Sequence, residues 1–141
     1  MKIQDAVKAY NTLSKASVSK MTLDAKMKVV KSVKALKAVA MDFQEFSTIT
    51  EDKLKGAEHE KFSDLGTRLD NGDPSIDKTE AADVRCYWRK YNTEFFKCVH
   101  QEELREVEVK LEKLTKKEFS DLICSNNFEA GVIADLSEIL Q

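Results

Sequence analysis

Residues 22–55, TLDAKMKVVKSVKALKAVAMDFQEFSTITEDKLK, contain neither Pro nor Gly. Val29, Val33, Leu36, Ala40 and Phe43, then Phe46 or Ser47, recur at spacings of three and four and continue through Thr50 and Leu54, which is the stripe of one helix face. Thr22 is suited to cap the start, and Asp24 complements the positive end of the helix dipole in the first turn. The reading is a helix from Thr22 to about Lys55, roughly 45 Å long if unbroken, which Gly56 ends or bends. Lys20, Lys26, Lys31, Lys34 and Lys37 fall on the side away from the stripe, with Lys28 at its margin.

Working outward, Ile3, Val7, Tyr10 and then Leu13 or Ser14 share a face of a short helix that ends near Lys15. The segment ASVSKMT (residues 16–22) reads as a linker or a short extended piece. Beyond the long helix, a shorter helical stretch carrying Phe62, Leu65 and Leu69 runs into LDNGDPSID (69–77), the strongest turn signal in the chain. Asp77 with Glu80 has the spacing of a capping box. It opens a second long helix, whose inner stripe is Val84, Trp88, Tyr91, Phe95 and Val99, broadened by Tyr87 and Phe96. The turn brings this helix back antiparallel on the first, so a long helical hairpin is expected.

The segment REVEVKLEKL (105–114) is two-sided. Glu106 to Glu112 alternates polar and apolar strictly, with Val107, Val109 and Leu111 on one face, a strand pattern. Leu104, Val107, Leu111 and Leu114 also make a helical stripe that leaves out only Val109. The strict period of two and the paired valines favour a strand, whose partner would be the ASVSKMT stretch or the same segment of a second chain. Thr115 and Glu118 form another capping-box pattern, opening the helix KKEFSDLICS. Asn126 or Asn127 then caps a last helix through Phe128, Val132, Leu136 and Leu140. The tetrapeptide FSDL occurs at 62–65 and 119–122; with no similarity beyond its immediate flanks it is one amphipathic turn used twice rather than a duplication. The expected fold is mainly α: a long antiparallel hairpin with short N- and C-terminal helices, with or without a small two-stranded β ribbon.

With 141 residues, the chain has the size of one domain, residues 1–141. Its 42% hydrophobic content supplies a core, while 34% charged residues with one Pro and four Gly fit solvated helices. Cys86, Cys98 and Cys124 are odd in number and widely spaced, as reduced thiols are. No signal-peptide core and no apolar run of membrane-spanning length is present, so a soluble cytoplasmic protein is expected. The net charge of −2 hides an asymmetry: residues 1–40 hold nine Lys against Asp5 and Asp24, whereas residues 118–141 carry Glu118, Asp121, Glu129, Asp135 and Glu138 without a Lys or Arg.

Catalytic patterns are scarce. His59 lies in AEHEKF, which reads as a charged, solvated helix surface. His100 follows Cys98 by two positions, but no second pair completes a zinc spacing. There is no glycine-rich phosphate loop and no nucleophile elbow. Carboxylate runs such as EELREVEVKLE read as solvated faces; to act as acid/base pairs they would need an apolar pocket, and the sequence predicts none. No enzyme activity, metal or cofactor is therefore expected. Nucleic-acid binding has more support, because the lysine face could follow phosphates and RCYWRKY (85–91) mixes basic and aromatic residues. Against it, Trp88 and Tyr91 are needed for packing, nineteen Lys against four Arg disfavour bidentate recognition, and the pI near 5.8 opposes attraction to a polyanion. A membrane contact is not expected, since the helix's apolar face is used for packing.

The layout from the lysine-rich helix through VEVKLEKL, KKEFSDL, SNNF and LSEIL resembles small helical proteins of unknown function encoded by tailed phages and prophages. That resemblance implies a phage-related accessory or assembly role and brings no catalytic residue. Taken with the charge asymmetry, it makes the chain a non-enzymatic interaction or assembly protein. Its contact surfaces would be the lysine face (Lys20, Lys26, Lys31, Lys34, Lys37) and the acidic end (Glu118, Asp121, Glu129, Asp135, Glu138), meeting a protein partner or another copy. The alternative is a nucleic-acid-binding accessory factor using the same lysine face.

Overall fold

The computed structural model describes all of residues 1–141, and the fold is mainly helical. Six helices follow in order: α1 (Ile3–Leu13), α2 (Leu23–Leu54), α3 (His59–Asp70), α4 (Lys78–Glu103), α5 (Lys116–Cys124) and α6 (Ala130–Leu140). The long uninterrupted stretch becomes α2, and Thr22 caps it, its Oγ1 accepting from Ala25 N at 3.3 Å. The chain divides into two compact units, one of residues 1–43 with 103–141 and one of residues 44–102.

In the first unit α1, the inner half of α2, α5 and α6 surround a core of Ala6, Leu13, Ala25, Val29, Leu36, Phe119, Leu122, Leu136 and Leu140. The linker before α2 contributes Met21, also buried, which its polar neighbours conceal in the sequence. A buried Ser32 faces this core from α2, and its Oγ accepts from Glu112 N at 2.9 Å.

No β ribbon forms. Residues 106–112 join neither strand nor helix; a single antiparallel bridge pairs Glu106 with Lys2. The physical reason lies in the partner: Lys2 is the residue on which α1 starts, so pairing can go no further along it. Single backbone donors in and just after the segment find separate acceptors instead, Val107 N on Met1 O at 2.8 Å, Glu112 N on Ser32 Oγ and Leu114 N on Leu140 O at 2.7 Å. The alternation nevertheless places side chains as a strand would, with Val107, Val109 and Leu111 half-buried and Glu108, Lys110 and Glu112 exposed. The Met1 ammonium pairs with the Glu106 carboxylate at 2.8 Å and holds it below the usual carboxylate range.

Thr115 and Glu118 make a full capping box at α5. Asn126 and Asn127 do not cap α6, which begins after Glu129. Asn126 Oδ1 accepts from Ser17 N at 2.7 Å, while its Nδ2 donates to Ser17 O at 2.8 Å and Leu122 O at 2.9 Å. The carboxamide thus grips both backbone groups of a residue in the loop ahead of α2, a use open to Asn because it offers donor and acceptor together.

In the second unit α3 ends in a Schellman motif, with Gly72 N bonded to Leu69 O and Asp73 N to Arg68 O. Gly72 sits at φ 74°, the left-handed region that glycine enters without a Cβ penalty. Arg68 Nε donates to Asp73 Oδ2 at 2.9 Å, and Asp73 Oδ1 accepts from Ser75 N and Oγ at 2.9 and 2.7 Å. His59 is not on a solvated surface. It is half-buried at the first turn of α3, its Nδ1 within 2.6 Å of Tyr87 Oη and its ring 5.3 Å from that of Trp88 and 5.0 Å from that of Tyr91. Phe62 stacks on Tyr87 at 4.5 Å. Tyr91 Oη donates to Glu51 O at 3.2 Å, and burial followed by the nearby Glu51 charge pushes its phenol up. Phe96 does not widen the inner stripe of α4: it stands out to solvent against Phe95 alone.

Candidate interaction surfaces

The helical period that buries Val29, Ser32, Leu36 and Ala40 turns another set of α2 residues directly outward. Leu23, Met27, Val30, Lys34 and Met41 recur at spacings of four, three, four and seven, hence on one line along the helix. The line is about 27 Å long from Leu23 to Met41 at 1.5 Å per residue. Its apolar members are open to water, with 74% of Leu23, 49% of Met27, 40% of Val30 and 45% of Met41 exposed. Lys26 and Lys37 flank the line on one side and Lys31 on the other. Lys31, Lys34 and Lys37 are exposed and Lys26 half-exposed, and none of these four forms an ion pair. The lysine face is therefore a ridge with an apolar crest and a cationic margin. The same angular reckoning that placed the lysines outward places Leu23, Met27 and Val30 among them; tracking charged residues alone passes over the crest.

The remaining basic residues of this stretch are spent inside the unit. Lys20 Nζ donates to Cys124 O at 3.2 Å, the cation meeting the carbonyl end of α5. Lys28, at the margin, pairs with Glu118 at 2.8 Å. The bond from Lys28 and the backbone bond from Thr115 hold the Glu118 carboxyl below its ordinary range. Of the acidic set, Glu118 thus belongs to an internal pair and Asp121 is half-buried on α5. Glu129, Asp135 and Glu138 are exposed.

Asp135 and Glu138 stand on the rim of a groove of about 730 Å³ between α1 and α6. Val132, Leu136 and Ile139 of α6 and Ala9 of α1 give it an apolar lining. Asp5, Lys8 and Asn11 of α1 complete the rim and are exposed. Asp5, Asp135 and Glu138 outnumber Lys8 on this rim, and the Met1 ammonium, whose residue also lines the groove, is spent on Glu106. The groove unites the first and last helices, which no local spacing could have announced.

No helix is long and apolar enough to cross a membrane, and no three His, Cys, Asp or Glu side chains converge as metal ligands. No family model matches the chain, and no curated protein or solved structure is detectably similar to it.

Proposed function

We propose that this chain is a non-enzymatic interaction or assembly protein whose contact surface is the outward ridge of α2. The supporting observation is the crest of Leu23, Met27 and Val30. Three large apolar side chains side by side on a helix that already has a complete buried face gain nothing for the fold, yet bury well against another protein. Unbranched Met27 and Met41 adapt to the shape they meet, while Lys26, Lys31, Lys34 and Lys37 give orientation and partner choice more than affinity. The antiparallel packing of α4 on the outer half of α2, supported by the Tyr91 to Glu51 bond, belongs to the same reading. The resemblance in layout to small tailed-phage proteins agrees with an accessory or morphogenetic role in a cytoplasm where phage components assemble.

The nucleic-acid alternative would use Lys31, Lys34 and Lys37 but would set the apolar crest against phosphates, which is why protein contact is preferred. A photo-crosslinking residue placed at Leu23 or Met27 in the cell that encodes the chain tests the choice. Covalent protein adducts are expected at these positions and not at Asp83, which is exposed on α4. Adducts to nucleic acid alone, or none to protein, would overturn the proposal.

A further inference from the structure

We infer that the occupant of the α1/α6 groove is the α2 ridge of a second copy, so that the protein associates head to tail; this rests on the ridge being a protein contact surface. Two independent features of one unit match each other. The ridge is convex, apolar along its crest and cationic at its margin. The groove is concave, apolar along its floor and anionic at its rim. Leu23, Met27 and Val30 have the i, i+4, i+7 spacing with which a helix lays anchors into a furrow between two others. The flanking lysines then face Asp5, Asp135 and Glu138 across the edge, where like charges would otherwise exclude a wrong partner.

A chain cannot fill its own groove. The ridge points away from the core of Ala25, Val29 and Leu36, and that is the core on which α1 and α6 pack. Ridge and groove are different surfaces, so each contact leaves one free groove and one free ridge. Such a heterologous interface grows into a ring if the rotation closes and into a filament if it does not. An anionic membrane or a polyanion also suits a cationic ridge, but neither has a use for the acidic groove.

Two exposed pairs of substitutions test this without touching the core. Leu23→Lys with Met27→Lys removes the crest, and Asp135→Lys with Glu138→Lys reverses the rim. Sedimentation velocity of the wild type should give species larger than a monomer that grow with concentration and shrink with added salt. Each variant alone should be monomeric with an unchanged helical spectrum, its self-association weakened about tenfold or more, a loss on the order of 1.4 kcal/mol. Mixed in equal amounts, they should form a one-to-one dimer and nothing larger, since the mixture holds one intact ridge and one intact groove per pair. A wild type that stays monomeric up to its solubility limit would overturn the inference, as would association indifferent to either variant or a mixture that grows past the dimer. Binding of a monomeric wild type to phosphatidylserine vesicles or oligothymidylate would equally overturn it. Crosslinked adducts at Leu23 to a different protein would remove self-docking and leave the proposed function standing, whereas no protein adducts at all would remove both.

Discussion

Ser32 sits among Leu36, Val29 and Ala25 on the buried face of α2 with its hydroxyl spent on the backbone of Glu112. Ser32→Ala keeps the helix and nearly the volume but leaves that amide without its partner, and a stability loss of about 1–2 kcal/mol in urea unfolding is expected. Asp73 does comparable work at the α3/α4 turn. Bonds from the Ser75 hydroxyl and amide, then from Arg68, lower its carboxyl to about 2. An unfolded carboxyl titrates near about 3.9, so the depressed value stabilises the fold above that pH, and the benefit is lost as pH falls toward 2. Asp73→Asn should therefore be less stable than wild type near neutrality, with the two melting curves converging in acid. Neither residue betrays its role in the sequence: Ser32 is a polar interruption in an apolar stripe, and Asp73 is one of several acids in a turn. Their partners lie 80 and two positions away, so only the turn could have been read locally.

At the level of elements, the helices were legible because their signals are local. Freedom from Pro and Gly delimits α2 to within a residue or two, and the Thr115–Glu118 box marks the start of α5. The extended segment was half legible: its alternation gives the correct faces for Val107, Val109 and Leu111, but whether a partner strand exists is decided by α1 starting at Lys2. Asn126 failed as a cap for the same kind of reason, since a distant backbone at Ser17 outbid the local one. The approach of α3 to α4 offers a direct test. A Cβ at Gly66 would come within 3.3 Å of Trp88 Nε1 and 3.8 Å of Val84 Cγ1. Gly66→Val should displace the indole, cost about 1–3 kcal/mol and lower the midpoint of thermal unfolding followed by circular dichroism. Gly66→Ala should cost less, because gained helix propensity offsets part of the crowding.

For the whole molecule, the opposite charge of the two ends was visible in the sequence, but its division of labour was not. Lys28–Glu118 and Lys20–Cys124 draw part of the asymmetry into the first unit, while Lys26, Lys31, Lys34, Lys37, Asp135 and Glu138 keep theirs for solvent. The acidic end is also a structural end, since Phe119, Leu122, Leu136 and Leu140 are core. Removing residues 118–141 should consequently unfold the first unit, seen as loss of amide-exchange protection in α1 and the inner half of α2, rather than merely altering association. Surface charge reversal is for that reason the better probe of the contact.

The aromatic nest of His59, Phe62, Tyr87, Trp88 and Tyr91 has an optical consequence. Trp88 is the sole tryptophan of the chain, and it lies in the unit formed by residues 44–102. Indole emission excited selectively is blind to the unit that carries ridge and groove. Two signals recorded on one sample, emission and far-ultraviolet ellipticity, consequently tell apart a melt of the second unit from a melt of the chain. Coincident traces mean one cooperative transition, and separated traces mean that the second unit yields on its own terms.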